Sequence, residues 1–148
     1  MNIFLASPFS QFCEGDSDII VENRWFFERL IKFFKKNKFD YFCSQERENW
    51  GENYVSPEES IICDVNGIKD CDLFVAIPGN PISGGVHVEI GWASAYNKKM
   101  LVFLDKNIEY SPMILGLKEL TDCTFIYYDD LLTDETVDLI IKSIKEVI

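Results

Sequence analysis

Residues Cys71 to Leu104 read CDLFVAIPGNPISGGVHVEIGWASAYNKKMLVFL, and this stretch decides the fold. Its first apolar run, Leu73 to Ile77, is short and apolar throughout, which is typical of a buried strand. A segment rich in proline and glycine follows and predicts a loop with tight turns. The run of small and apolar residues from Val86 to Ala95 predicts a helix packed on a sheet, and Met100 to Leu104 predicts another strand. The stretch is therefore a strand–loop–helix–strand unit, with Glu89 just inside its helix.

Glu89 is the strongest candidate for a functional residue. In open α/β sheets, ligands bind at the carboxyl ends of the strands, where the loop before this helix lies. A carboxylate at the start of a buried helix is expected to be kept ionised by backbone amides and the helix dipole. Such a group suits a nucleophile that attacks an electrophilic carbon, or a base. The alternative is an ordinary solvated glutamate on a helix surface.

The rest of the chain alternates strands and helices around this unit. Further strands are predicted at Asn2 to Ala6, Phe39 to Cys43 and Thr124 to Tyr128. Helices are predicted from a cap at Asp16 or Ser17 to about Lys38, from Pro57 to about Lys69, from Ser111 to Leu120 and from Asp134 to Ile148, with a long polar loop from Ser44 to Pro57. The alternation indicates one α/β domain over residues 1–148, flavodoxin-like or Rossmann-like. We expect a five-stranded parallel sheet with helices on both faces, and by analogy with flavodoxin-like folds the strand order should be 2-1-3-4-5.

Composition limits the partners. The net charge of −11 argues against a nucleic acid polymer, because phosphate neutralisation needs a basic surface, but it leaves a single nucleotide open. No apolar run approaches the roughly 20 residues that span a bilayer, and the amino terminus reads as a strand rather than a signal peptide, so we expect a cytoplasmic protein without a membrane partner. The five cysteines lack CxxC spacing and His87 is the only histidine. We therefore expect no metal, cofactor or histidine-dependent nucleophile.

Other residues are weaker candidates. Asp64 lies within a predicted helix, and two carboxylates about one sugar apart suit cleavage of a glycosidic bond; a solvated Asp64 is the alternative. The glycines at 79, 84 and 85 could form a backbone nest for an anion, to which Ser83 would add a hydroxyl, or simply a tight loop. Four aromatic residues could stack on a nucleobase or belong to the core: Phe4, Phe9, Trp50 and Tyr54.

Two segments carry a family resemblance, Cys63 to Ile68 (CDVNGI) and Ser83 to Gly91 (SGGVHVEIG). Shorter matches support them at Pro8-Phe9, Arg47 to Gly51, Ser56-Pro57 and Gly116-Leu117. With these motifs the chain resembles the nucleoside 2-deoxyribosyltransferase superfamily. Within it, the chain is similar to the nucleotide N-glycosidases that hydrolyse cytidine monophosphate and its hydroxymethyl derivative in nucleoside-antibiotic pathways.

The resemblance implies roles for the matching residues. Glu89 would attack C1′ of the sugar and expel the base, and Asp64 would assist at the sugar and the leaving base. Ser83 stands where transferases acting on free nucleosides carry an aspartate, and in the hydrolases a serine there binds the 5′-phosphate. Ser111 would come from a neighbouring subunit, which implies a homo-oligomer, at least a dimer. The substrate-binding residues expected in all are Phe4, Ser7, Phe9, Ser10, Arg47, Trp50, Ser83, Gly85 and Ser111.

These implications predict an N-glycosidase that cleaves a CMP-like pyrimidine nucleoside 5′-monophosphate to free base and ribose 5-phosphate. The chain departs from the family in its first loop, where Pro8 to Gln11 lacks the usual arginine and offers less positive charge to a phosphate. A free nucleoside or a modified nucleotide therefore stays an alternative substrate. Two further alternatives are a transferase that passes the sugar to another base and a non-catalytic nucleotide-binding protein.

Overall fold

The five predicted strands form one parallel sheet in a computed structural model that describes residues 1–13 and 20–148. The strand order is β2-β1-β3-β4-β5, as the sequence predicts. The strands are β1 (Asn2–Ala6), β2 (Asp40–Cys43), β3 (Leu73–Ala76), β4 (Lys99–Asp105) and β5 (Cys123–Tyr128). In register, Ala6 pairs with Ala76, which in turn pairs with Val102, so the central strands end close to one another.

Helices cover both faces of the sheet. They are α1 (Arg24–Lys36), α2 (Ser44–Arg47), α3 (Pro57–Asp70), α4 (Gly84–Ala95), α5 (Pro112–Leu115) and α6 (Asp134–Val147), with 3₁₀ turns at Ser10–Phe12, Asn49–Gly51 and Leu117–Glu119. Successive side chains of a strand point to opposite faces. One core cluster therefore joins Leu5 of β1 to α1 and α6, and the other joins Phe4 of β1 to α3, α4 and α5. Within the described residues, no helix has the length and apolar character needed to cross a bilayer.

Two of the long helices begin at the serine caps that their sequences favour. The Oγ of Ser56 accepts a hydrogen bond from the amide of Glu59 at 3.1 Å, and Pro57 occupies the first position of α3. The Oγ of Ser83 accepts a hydrogen bond from the amide of Val86 at 3.4 Å, so Ser83 caps α4. These caps fix the starts of both helices beside the carboxyl ends of the strands.

Three boundaries differ from the sequence prediction. The proposed caps of the first helix, Asp16 and Ser17, lie outside the described residues; residues 22–23 form a turn, and α1 begins only at Arg24. The polar segment after β2 is partly helical rather than a loop, because the buried side chain of Gln45 donates to the carbonyl of Ser7 at 3.1 Å and fixes this turn. The predicted helix from Ser111 to Leu120 is divided at Gly116.

Candidate active site

A polar cavity of about 220 Å³ opens at the carboxyl ends of the central strands. Residues from the ends of β1 and β2, from α2 and α3 and from the start of α4 contribute to it, as expected for an open parallel sheet. Its lining consists of Ser7, Phe9, Ser44, Arg47, Glu48, Tyr54, Ser60, Asp64, Ser83, Gly85, Val86 and Glu89. Seven of the eleven predicted site residues are in this set, the exceptions being Phe4, Ser10, Trp50 and Ser111.

A second cavity of about 280 Å³ adjoins the first, and its remaining wall is apolar. That wall is formed by Pro57, Ile61, Val88 and Trp92. The two cavities share Ser60, Asp64, Gly85 and Glu89. Both candidate catalytic carboxylates therefore lie on the boundary between a polar and an apolar compartment.

Glu89 is the sixth residue of α4 and lies in its second turn, beyond the free amides of the first. Burial raises the pKa of Glu89 to about 8; the negative charge of Asp64 adds to this shift, and the positive charge of Arg47 opposes it. The expectation that backbone amides and the helix dipole keep this group ionised is therefore wrong for the free protein. The dipole acts within the first turn, and Glu89 is too far along the helix to benefit from it.

Arg47 pairs with two carboxylates of the polar cavity, those of Asp64 and Glu48. Its Nη1 donates to Oδ1 of Asp64 at 2.8 Å, and its Nη2 donates to Oε1 of Glu48 at 2.6 Å and to Oγ of Ser60 at 3.3 Å. Its guanidinium also lies 5.2 Å from the centre of the Phe42 ring. Burial by itself would lower the pKa of Arg47, but the bonds to Glu48 and Asp64 outweigh it and raise the pKa. Arg47 is therefore a fixed cation.

Hydroxyl groups also line the polar cavity. Ser7 follows β1 directly and is only 7% exposed, and its Oγ has no hydrogen-bond partner among the described residues. Ser44 follows β2 and Ser83 caps α4. A buried hydroxyl without a partner is costly, and a bound ligand with acceptor oxygens would satisfy Ser7.

Two aromatic rings border the cavity. The rings of Phe9 and Tyr54 are tilted by 51° with centroids 5.3 Å apart. Both residues line the polar cavity. Such rings can offer a face or an edge to a flat heterocycle.

The structure places four predicted substrate-binding residues away from both cavities. The ring of Phe4 is buried and stacks on Phe42 at 4.7 Å between centroids. Ser10 is an exposed residue of the first 3₁₀ turn, and Ser111 is an exposed cap of α5. Trp50 belongs to the core on the α1 face, because the backbone from Asn49 to Gly51 has positive φ and turns the indole away from the polar cavity.

Sequence reasoning did not select three polar residues of the lining: Ser44, Glu48 and Ser60. A signal was available for two of them. Ser44 follows a predicted strand directly, and Ser60 lies one helical turn before Asp64 on the same face of α3. Glu48 carries no local signal, because its place in the site depends on the pairing of Arg47 with Asp64 on another helix.

A parallel α/β sheet with two carboxylates between a polar and an apolar cavity at its strand ends is the arrangement expected of an enzyme that acts on a small molecule. The family model described as nucleoside 2-deoxyribosyltransferase matches residues 3–140, so the chain belongs to this family. Family and fold thus place it among nucleoside-processing enzymes.

Solved structures agree with this assignment. The CMP N-glycosidase BcmB of Clostridium botulinum is 26% identical, each chain is covered completely, and the TM-score is 0.72. The solution structure of BlsM is 35% identical, with a TM-score of 0.74, over 99% of this chain and 93% of BlsM. A conserved protein of Enterococcus faecalis V583, 21% identical with a TM-score of 0.59 over 99% of this chain and 98% of that one, shares the fold. No curated protein sequence matches the chain.

Proposed function

We propose that the protein is an N-glycosidase that hydrolyses the bond between base and sugar in a CMP-like pyrimidine nucleoside 5′-monophosphate. The products would be the free base and ribose 5-phosphate. The observation that carries the proposal is the shared cavity wall, where Glu89 and Asp64 lie together beside the hydroxyls of Ser7 and Ser83. The likeness to the CMP N-glycosidase of Clostridium botulinum supports the choice of substrate.

In the first step Glu89 attacks C1′ of the sugar. The bond between C1′ and the base nitrogen breaks, and its electron pair leaves with the base. The raised pKa of Glu89 means that Glu89 and Asp64 together hold one proton near neutral pH. That proton passes to the leaving base by way of Asp64, so that Glu89 is ionised as it attacks and the base departs neutral.

In the second step water attacks C1′ of the glycosyl-enzyme. The bond between C1′ and the Glu89 oxygen breaks, and Glu89 leaves as a carboxylate. The carboxylate pair takes up the proton that water loses, which restores the starting state of the enzyme. Arg47 keeps Asp64 in place throughout, since it donates to Oδ1 at 2.8 Å.

The lining of the polar cavity supports one orientation of the substrate. The 5′-phosphate would lie by Ser83 and Ser7, because hydroxyls can donate to its oxygens. The base would lie by Phe9 and Tyr54, whose rings can contact its face. Of the basic residues, only Arg47 lines this cavity within the described part of the chain, and it is already paired with carboxylates, so phosphate recognition would rest on neutral donors.

A homo-oligomer would complete the site. Ser111 caps α5 and lines neither of the two cavities. The family resemblance implies that this serine reaches the site of a neighbouring subunit. The apolar compartment is bordered by exposed Ile61 and Val88, which a second copy would cover. We therefore propose at least a dimer, to be measured by light scattering with and without nucleotide.

Chromatography of released base is the decisive experiment. The panel consists of CMP, dCMP, hydroxymethyl-CMP, UMP, purine monophosphates and free cytidine, tested with the unchanged protein and with Glu89→Ala. We expect release from CMP-like monophosphates alone and none with Glu89→Ala. Release from free nucleosides only would overturn the phosphate assignment, and an unchanged rate with Glu89→Ala would remove Glu89 from the mechanism. Thermal stabilisation by nucleotides without any product would indicate a binding protein.

The family description favours a second candidate, a transferase that passes the sugar to another base. It would form the same glycosyl-enzyme but would protect it from water. The test is to add a free base in excess to the same panel. Appearance of a new nucleotide or nucleoside, with little free sugar, would favour the transferase over the hydrolase.

A further inference from the structure

Arg47 shares its guanidinium between two carboxylates, and only one of these has a role in the mechanism proposed above. Asp64 accepts a hydrogen bond from Nη1, and Glu48 accepts one from Nη2 at the shorter distance of 2.6 Å. All three side chains are largely buried, with exposed fractions of 19% for Arg47, 16% for Asp64 and 9% for Glu48. Because a guanidinium is planar, the position of Glu48 fixes the direction in which Nη1 points.

The backbone holds Glu48 firmly on both sides. Its amide donates to the carbonyl of Ser44 at 3.0 Å, and its carbonyl accepts from the amides of Gly51 and Asn53, both at 3.1 Å. The residues that follow, Asn49 and Trp50, have positive φ values of 47° and 60°. A bulky residue rarely adopts this conformation, and it persists only where the surroundings impose it.

Trp50 supplies those surroundings. Its indole is packed in the core on the α1 face, with the Phe27 ring 6.2 Å away and the Arg24 guanidinium 4.4 Å from its centre. Its carbonyl accepts a hydrogen bond from the amide of Ile20 at 2.7 Å. The packing of Trp50 in this core therefore fixes the turn that begins at Glu48. Glu48 itself lines the polar cavity at the strand ends.

A purely structural reading treats Arg47 and Glu48 as a buried ion pair of the fold. Such pairs are common and need not affect a site. Two observations favour a functional role: both residues line the cavity that contains Glu89, and Arg47 divides its donors between Glu48 and Asp64 instead of giving both to one carboxylate.

We propose that Glu48 is a positioning residue, which holds Arg47 so that its guanidinium orients Asp64 for proton transfer to the leaving base. This inference rests on the proposed function for the role of Asp64, whereas the contacts among Glu48, Arg47 and Asp64 are independent of it. Glu48 would touch neither substrate nor reacting atoms. It would act on catalysis through Arg47 alone, and Trp50 would support it from the core.

The proposal predicts a specific kinetic effect of Glu48→Gln. The amide oxygen can still accept from Arg47, but the charge that fixes the guanidinium is gone, so Arg47 can turn toward Asp64 and no longer holds that carboxylate in one orientation. We expect kcat to fall by about tenfold to 100-fold, as for other small misplacements of a catalytic group, with KM changed less than about twofold. A substrate-binding role would instead raise KM.

A second effect is electrostatic and can be measured without any substrate. The other charged or titratable residues that line the polar cavity with Glu89 are Arg47, Glu48, Tyr54 and Asp64; His87 lies on the same helix. Removing the charge of Glu48 leaves Arg47 less neutralised, so the pKa of Glu89 should fall.

The experiment combines both readouts with a matched control. Glu46→Gln removes a charge two residues away that pairs with Lys35 on the surface and does not line either cavity. Carbon-13 NMR of labelled glutamate side chains, assigned with Glu89→Gln, should show the Glu89 titration lowered by about one unit in Glu48→Gln and unchanged in Glu46→Gln. Equal shifts in the two variants, or an unchanged kcat in Glu48→Gln, would overturn the proposal.

Arg47→Lys provides a test that leaves Glu48 intact. One ammonium group cannot donate in the fixed fork that joins both carboxylates, so kcat should fall as in Glu48→Gln. Activity equal to that of the unchanged protein would contradict the positioning role. Should the unchanged protein release no base from any nucleotide, the proposed function has failed, and the NMR titration still decides whether Glu48 controls Glu89.

Discussion

Glu89 and Asp64 lie on the wall that two cavities share, and the charge of Asp64 adds to the burial that raises the pKa of Glu89 to about 8. Arg47 pairs directly with Asp64 and not with Glu89. The proton of this pair therefore resides on Glu89 near neutral pH. The two carboxylates are chemically distinct before any substrate binds, which is what acid and nucleophile roles require.

The pH dependence of base release should report this shared proton. The leaving base needs it, so kcat/KM should be high below pH 8 and fall above it with the loss of one proton, since kcat/KM follows the free enzyme. Asp64→Asn removes the repulsion between the two carboxylates, so the pKa of Glu89 should fall. The decline of any residual activity with rising pH should then begin at a lower pH. The second ionisation of the substrate phosphate occurs at about pH 6, below neutrality, and is therefore separate from the decline expected above pH 8. A profile that rises through pH 8 would contradict the assignment of the proton.

The same proton makes the stability of the fold depend on pH. Glu89 has a higher pKa folded than unfolded, so the folded state binds more protons, and the stability present below pH 4.5 is lost as pH rises to about 8. Glu89→Gln removes this loss. At pH 9 the substitution should stabilise the protein by on the order of 2–4 kcal/mol. This is less than a full conversion at about 1.4 kcal/mol for each unit of the pKa shift, because solvent in the cavity screens the charge.

Urea unfolding of both proteins at pH 4 and pH 9 measures the effect. The difference between Glu89→Gln and the unchanged protein should be small at pH 4 and large at pH 9. Replacing Glu119, an exposed glutamate in the third 3₁₀ turn, by glutamine is a control with no expected pH dependence. A difference that is the same at both pH values would show that the charge of Glu89 costs the fold nothing.

The sheet and the carboxyl-end site could be predicted from sequence because both follow from local patterns. Short apolar runs between helices predict parallel strands, and the residues that follow such strands meet at one edge. Glu89 and Ser83 were selected in this way, Ser7 was implied by the family resemblance, and all three line the polar cavity. The helix caps at Ser56 and Ser83 are equally local, since each depends on one hydroxyl and an amide three residues later.

Trp50 and the charge state of Glu89 could not be predicted, because both depend on distant parts of the chain. An aromatic residue in a polar segment suggests stacking on a ligand, but two consecutive residues with positive φ turn Trp50 into the opposite core. The proton on Glu89 depends on burial and on Asp64, which lies on another helix. Neither the turn nor the approach of the two helices has a periodic signature in the sequence.

Ser83→Asp tests the phosphate assignment of the polar cavity. Aspartate caps helices as well as serine does, so α4 should remain intact. The added carboxylate would repel a bound phosphate, so kcat/KM for CMP should fall by about 100-fold or more, as expected for two like charges in contact within a partly desolvated site, and the value for cytidine should change little. Ser56→Asp is the matched control, because Ser56 caps α3 in the same way and lines neither cavity. Equal losses on CMP and cytidine would argue against a phosphate at Ser83.

Gly67 and Gly91 form a second matched pair, which tests the packing of Phe4. A Cβ on Gly67 would lie 2.9 Å from Cε2 of the Phe4 ring, whereas a Cβ on Gly91 would meet nothing within 4 Å. Both glycines lie inside helices, so alanine should gain about 1 kcal/mol of helix propensity at either site. At Gly67 the ring of Phe4, stacked between Phe42 and Phe74, would have to move, at a cost of about 1–3 kcal/mol. Urea unfolding should therefore show Gly91→Ala to be stabilised and Gly67→Ala to be less stable than Gly91→Ala by that cost, and equal effects would mean that the Phe4 stack yields freely.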